Sequence, residues 1–259
     1  MDDLRNILTL LTEKKITIEE AEKFLKANTI QEVGDLAKLD ILRKVRTGIP
    51  EVIYAHKKSN EMIIDIIKSF LDSNQFAIIS RYNESQKEFI LKTFEDTEDI
   101  NIGINELGKI IIVRKKHLKF EKKDGIVGII TAGSSDIPVA EEAKVISEAM
   151  GCKVLTSYDV GIAGIHRIFT PLSDMIKEGV HVIIVCAGME GTLPGVVAAL
   201  TDVPVIGIPV SSGYGLGEKG IGALTTMLQS CSPGLLIVNI DNGFGAGASA
   251  ALIANRMAK

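Results

Sequence analysis

The sequence predicts an α/β protein in which a doubly wound parallel sheet follows a smaller N-terminal α+β domain. Three observations predict it. In the second half of the chain, short apolar strands alternate regularly with helices. Those strands are continuous Val/Ile runs rather than alternating patterns, the mark of strands covered on both faces. Composition also changes sharply near the middle: residues 125–259 hold 20 of the 24 glycines but only 7 of the 29 Lys and Arg. With 11 acids, that segment carries the whole net charge of −4, whereas residues 1–124 hold 22 charges of each sign. Two domains are therefore expected, 1–122 and 123–259, meeting at the charged stretch 119–124.

Bulk properties exclude several classes. A chain of 259 residues, 46% hydrophobic and 24% charged, reads as an ordinary soluble globular protein. No uninterrupted apolar span is long enough to cross a bilayer, and the start is charged and helical rather than signal-like. Cys152, Cys186 and Cys231 are odd in number and widely spaced, so they form neither a disulfide framework nor a zinc site. A reducing cytoplasm is the expected setting. The acidic balance argues against a dedicated nucleic-acid binder.

In the first segment, Leu4, Ile7, Leu8 and Leu11 fall at helical spacing, and Thr17-Ile18-Glu19-Glu20 reads as a cap before a helix at 21–25. A third helix is expected over 33–46, with Leu36, Leu39, Leu42 and Val45 inward and Asp40, Arg43, Lys44 and Thr47 on the polar side. Gly48-Ile49-Pro50 breaks it. A short strand (51–54), a helix (60–73), a strand (76–80), a helix (84–94) and a strand (109–113) follow. In the second segment, strands are expected at 126–131, 153–157, 180–185, 203–208 and 235–239. Helices fit at 139–150, 169–178, 193–200, 219–228 and 246–257.

In open parallel sheets, ligands bind beyond the carboxyl ends of the strands. Here those ends are the loops 132–136, 158–167, 186–191, 209–217 and 240–247. They gather Ser134, Ser135, Asp136, Asp159, His166, Arg167, Glu190, Ser211, Ser212, Asp241 and Asn242 at one edge. The most telling loop is Gly133-Ser134-Ser135-Asp136. It follows an apolar strand and precedes Pro138, so Asp136 sits where a helix cap is expected and free N–H groups face any bound anion. Cys231 precedes the last strand and therefore starts at the opposite edge unless a neighbouring subunit brings it in. Cys152 precedes a strand and Cys186 follows one, and both read as core.

Several ordered motifs resemble aminoimidazole ribonucleotide carboxylases of the PurE type. They are Gly133-Ser134-Ser135-Asp136, Gly164-Ile165-His166-Arg167, the run from Ala187-Gly188-Met189-Glu190-Gly191-Thr192 to Ala199, and the run from Val203-Pro204 to Pro209-Val210. Ile168 and Phe169 separate His166-Arg167 from Thr170-Pro171, which are continuous in the purine enzymes. Glu190 stands where those enzymes have a small residue, and Cys231 and the run Val238 to Gly247 are foreign to them. These departures, with the run Leu39 to Tyr54, are similar to the sister LarB family, the pyridinium-3,5-biscarboxylate mononucleotide synthases of nickel-pincer cofactor biosynthesis. The resemblance implies a PurE-like, flavodoxin-like three-layer domain. It also implies carboxylation of the pyridinium ring of nicotinic acid adenine dinucleotide with CO2, followed by phosphoanhydride hydrolysis that releases AMP.

An electron-poor pyridinium needs a thiolate adduct before its ring carbon can attack CO2, so the reaction calls for one activated cysteine and one base, with no cofactor required for carboxylation. The resemblance assigns Cys231 as nucleophile, with Glu190, Asp159 and His166 as the remaining catalytic candidates. Gly133, Ser134, Ser135, Asp136, Arg167, Gly188, Met189 and Gly191 are the substrate-binding candidates. Residue type alone leaves the plainer roles open: Cys231 as helix-end packing, Asp136 as helix cap, Glu190 as a solvated loop acid, His166 as a structural histidine.

Cations near the site are few, Arg167 and Lys219. Helix starts after Gly133, Gly191 and Gly245 are expected to carry part of the phosphate charge, with Arg43, Arg46 or Lys57 of the first domain supplying the rest and Mg²⁺ left open as a companion of the phosphates. The stretch Ser212-Gly213-Tyr214-Gly215-Leu216-Gly217 reads as a mobile loop over the site or a subunit contact. The small-residue helix 246–254 suggests close packing in a homo-oligomer with shared sites. Two alternatives remain at this stage: an aminoimidazole ribonucleotide carboxylase or mutase, and a non-enzymatic nucleotide-binding module.

Overall fold

The computed structural model describes residues 2–27, 30–33, 37–40 and 43–258. The chain forms two units, Met1–Ile104 with Ile111–Leu118, and Asn105–Ile110 with Lys119–Lys259.

The first unit begins with α1 (Asp2–Thr12) and α2 (Ile18–Ala27). The expected cap before α2 is a reciprocal box: Glu20 N–H donates to Thr17 Oγ1 at 3.1 Å and Thr17 N–H to Glu20 Oε2 at 2.9 Å. The helix expected over 33–46 is not formed. Instead β1 (Ile30–Val33) pairs antiparallel with β2 (Ala37–Asp40), and only α3 (Arg43–Thr47) is helical. The antiparallel pairing of Ile30 with Asp40 through Val33 with Ala37 overrides the leucine spacing. The inward placement expected of Leu36, Leu39, Leu42 and Val45 lies outside the described residues.

Next come β3 (Ile53–Tyr54), α4 (Asn60–Asn74), β4 (Phe76–Ser80), α5 (Glu84–Phe94), β5 (Ile100–Asn105) and β6 (Ile110–Lys115), with sheet order β3-β4-β6-β5. Strand β5 was not expected, although Ile100, Ile102 and Ile104 alternate with polar residues and Gly103 at strand period. Ile63, Ile67, Phe70, Ile79, Ile90 and Ile111 form the core of this unit.

The second unit is the doubly wound sheet. Its strands β7 (Ile126–Thr131), β8 (Lys153–Ser157), β9 (Val182–Ala187), β10 (Val205–Pro209) and β11 (Leu235–Ile237) lie in the order β11-β10-β9-β7-β8, all parallel. This is the flavodoxin-like order, which reverses direction between β7 and β9. Helices α6 (Ile137–Ala149) and α10 (Gly243–Met257) pack together on one face. On the other, residues of α7 (Phe169–Lys177), α8 (Leu193–Leu200) and α9 (Ile221–Leu228) share a core with Ile183, Val185 and Val205. Cys186 lies inside β9 rather than after it, fully buried, and Cys152 is buried too.

Small residues of α10 pack inside the unit. Ala246, Ala250, Ala251 and Ala254 are fully buried, and a Cβ on Gly247 would meet the Ala143 carbonyl oxygen of α6 at 2.4 Å. Among the described residues, no helix is long and apolar enough to cross a membrane.

Candidate functional site

The reversal of strand order between β7 and β9 opens a crevice at their carboxyl ends, and the loops 132–136 and 188–192 flank it. Asp136 is its centre. The side chain is 3% exposed, and its carboxylate ties three loops together. Oδ2 accepts the Gly133 N–H at 2.9 Å, Oδ1 accepts the Ser212 hydroxyl at 2.8 Å, and the Gly188 N–H adds a third bond. Burial pushes this carboxyl above its ordinary value, the three hydrogen bonds oppose the rise, and the Asp241 charge adds to it.

The expected helix cap is therefore corrected. Asp136 occupies the position before α6, with Pro138 in the first turn, but its side chain makes no bond to the helix. A single 3-10 turn at Ser134–Asp136 brings the Gly133 N–H within reach, and the carboxylate turns back to it. Ser134 and Ser135 are exposed on that turn.

Two glycines let the loops close on one another. A Cβ on Gly188 would stand 2.2 Å from Ser212 Oγ and 3.3 Å from Asp136 Oδ1, and one on Gly213 would stand 2.9 Å from the Met189 nitrogen. Met189, Asp159 and Asp241 each take a left-handed backbone (φ 46°, 57° and 56°), one on each of three carboxyl-end loops. Such strained non-glycine positions gather where surrounding structure holds a site in shape. Met189 is exposed, as is Glu190 beside it, and Gly191 is buried against Ala223.

Beyond β8, Asp159 N–H donates to the buried Thr131 hydroxyl at 2.9 Å, and the Asp159 carboxylate pairs with Arg167 at 3.2 Å. Arg167 and His166 lie on a short exposed helical segment, Ile162–Arg167. Arg167, the cation expected near the site, is thus already engaged by an acid. Of the three helix starts expected to receive anions, that of α10 is occupied: the helix begins at Gly243, and the Gly245 N–H donates to Asn242 Oδ1 at 2.8 Å.

A second buried carboxylate, Glu141 on α6, accepts bonds from the Tyr158 hydroxyl and the Asn105 amide, with Lys144 Nζ at 3.4 Å. Burial raises its pKa, but these three partners outweigh burial and leave the carboxyl below its ordinary value. Tyr158 immediately precedes Asp159, so this cluster anchors the root of the Asp159–Arg167 loop.

Cys231 is exposed, between α9 and β11. It precedes β11, as the sequence places it, and the residue before it packs beside α8. Ser230 Oγ lies 2.8 Å from where a Cβ on Gly195 would fall, and Gly195 is in the first turn of α8, just after the Glu190 loop. Arg43 and Arg46 belong to the first unit, where Arg46 forms an ion pair with Asp40. Among the described residues, no group of three or more His, Cys, Asp or Glu is placed to hold a metal ion.

Residues 126–259 match the family model described as AIR carboxylase, and residues 30–115 match the LarB/PurE-like N-terminal domain. The chain is a LarB-like member of the AIR carboxylase family. It is 47% identical to an uncharacterized protein of Methanocaldococcus jannaschii over 99% of both chains. It is also 36% identical to the N5-carboxyaminoimidazole ribonucleotide mutases of Thermotoga maritima, over 49% of this chain and 73% of that one, and of Pyrococcus horikoshii, over 54% and 75%. This LarB-like chain is thus an enzyme of carboxylase or mutase type.

Of the residues named from sequence, the fold brings Gly133, Asp136, Gly188 and Met189 together at the crevice, and it pairs Asp159 with Arg167. The bond from Ser212 to Asp136 was not foreseen, although both residues were assigned to the same sheet edge. The anchor of Glu141 on Tyr158 had no signal, because a mid-helix glutamate followed by a lysine looks like any solvated face.

Proposed function

We propose that this enzyme carboxylates the pyridinium ring of nicotinic acid adenine dinucleotide with CO2 and hydrolyses the phosphoanhydride, releasing AMP and pyridinium-3,5-biscarboxylic acid mononucleotide for a nickel-pincer cofactor. The observation that carries this reading is the LarB-type match over residues 30–115 in the same chain as the AIR carboxylase match. The Cys231 thiolate adds to a ring carbon, and the resulting dienamine carbon attacks CO2 to form the new C–C bond. Glu190 removes the ring proton from that carbon, and the electron pair restores aromaticity as the C–S bond breaks. Exposure of Cys231 and Glu190 supports access by both. Asp136, Gly133 and Gly188 hold the nucleotide portion, with Ser134, Ser135, Met189 and Gly191 around it. Arg167, held by Asp159, meets phosphate, and His166 relays protons at the loop after β8.

A homo-oligomer whose subunits share the site fits the placement of Cys231 on a different part of the sheet from the Asp136 crevice. The names of the mutase relatives favour a second reading, conversion of a carboxylated aminoimidazole ribonucleotide. The test is incubation with nicotinic acid adenine dinucleotide and ¹³C-bicarbonate, with and without Mg²⁺, followed by mass spectrometry. The expected result is AMP plus a mononucleotide carrying one labelled carboxylate, with no product from Cys231→Ser. Turnover of the aminoimidazole ribonucleotide alone, undiminished in Cys231→Ser, would overturn the first reading in favour of the second.

A further inference from the structure

We propose that the first unit carries a binding site of its own for a nucleoside monophosphate, on the loops that follow β3 and β4. These neighbouring strands run parallel, with Tyr54 opposite Ser80, so both loops leave the same carboxyl-end edge. The first, 54–59, reads Tyr-Ala-His-Lys-Lys-Ser and the second, 81–83, Arg-Tyr-Asn; neither contains an acid.

The loops form one preorganised surface. Ala55 N–H donates to the Ser80 carbonyl at 2.9 Å, and Lys58 N–H closes a turn on the Ala55 carbonyl at 3.0 Å. Gln86, 3% exposed, pins both: its amide donates to the Ala55 and Lys58 carbonyls at 3.0 and 2.9 Å, and its Oε1 accepts the Asn83 N–H at 2.9 Å. A buried side chain with every bond spoken for holds the two backbones in fixed relation.

On this frame sits an aromatic platform set among cations. Tyr54 is 48% exposed, with the Arg81 guanidinium over its ring at 5.8 Å from the centroid and the His56 ring 5.9 Å away at 57°. Lys57 and Lys58 follow directly, and the backbones of Lys57 and Arg81 are both left-handed, φ 63° and 57°. A half-exposed aromatic face takes a planar base by stacking, and neighbouring ammonium and guanidinium groups take its phosphate. One exposed ring accommodates one base, which fits a mononucleotide rather than a strand. The site does not depend on which substrate the second unit transforms.

The probe is AMP, titrated calorimetrically into the full-length protein, with ribose 5-phosphate and a short single-stranded RNA as comparisons. Tyr54→Ala is expected to weaken AMP binding about tenfold or more, with Tyr54→Phe near wild type. Lys57→Ala/Lys58→Ala is expected to weaken AMP and ribose 5-phosphate alike. Asp136→Asn, in the crevice of the second unit, separates the two sites: a binding event that survives Asp136→Asn but is lost in Tyr54→Ala supports the proposal. Unchanged AMP affinity in a folded Tyr54→Ala protein would overturn it, as would binding lost only in Asp136→Asn, or binding of the RNA without AMP. Each of these outcomes leaves the carboxylation assay to be decided on its own result.

Discussion

Asp136 and Glu141 are both buried carboxylates, about one helical turn apart at the start of α6, and the fold treats them in opposite ways. Glu141 is surrounded by a phenol, an amide and an ammonium, and its pKa falls below the ordinary value despite burial. Asp136 is held by backbone N–H groups and one hydroxyl, with the Asp241 charge nearby, and its pKa rises. Perturbed buried carboxylates gather at functional sites as well as in structural networks, so the contrast predicts a working role for Asp136 and a structural one for Glu141.

The largest effect that sharpens this contrast is on turnover. Asp136→Ala is expected to lower kcat/KM by roughly 10–100-fold, the value of a charge-assisted hydrogen bond, with a smaller drop in thermal midpoint than Glu141→Ala because its raised pKa already offsets part of its contribution to stability. Steady-state kinetics beside a melting curve decide it. A variant that unfolds instead would make Asp136 a strut and erase the distinction. Glu141→Ala is expected to act the other way, costing about 2–3 kcal/mol in urea unfolding because Tyr158, Asn105 and Lys144 lose their acceptor. Its loss of activity should be secondary.

A smaller effect is expected at Gly188. A methyl there would displace Ser212 from Asp136, for a drop in kcat/KM of about tenfold; Ser212→Ala, which removes the bond without a clash, should cost less.

The smallest effect is on pH dependence, where the two acids carry opposite signs. Native Asp136 holds its proton to higher pH than the unfolded chain does, so its contribution to stability falls as pH rises from 3.8 through the raised value. Native Glu141 releases its proton more readily, so it stabilises above pH 4.5 and that contribution is lost as pH falls through its lowered value. Urea midpoints from pH 3 to 7 for wild type, Asp136→Asn and Glu141→Gln should show each variant flattening a different limb. Identical profiles for the two variants would break the comparison.

Much of the second unit was legible in the sequence because its signals are local. Continuous Val/Ile runs fix buried parallel strands, and a glycine-and-hydroxyl loop before Pro138 marks the crevice. What was not legible depends on which strands become neighbours. Ser212 reaches Asp136 only because β10 and β7 both flank β9, and Tyr158 reaches Glu141 only across the packing of α6. In the first unit, leucines at helical spacing conceal the antiparallel pairing of β1 and β2, which depends on two strands meeting rather than on either alone.

The vacancy at Gly188 works as a keyway. A methyl group and a serine hydroxyl cannot both occupy the space above Asp136, so the choice of amino acid at one position dictates the choice at the other. A relative that carries a larger residue at 188 is expected to have given up the hydroxyl at 212, so that its Asp136 carboxylate ties two loops instead of three.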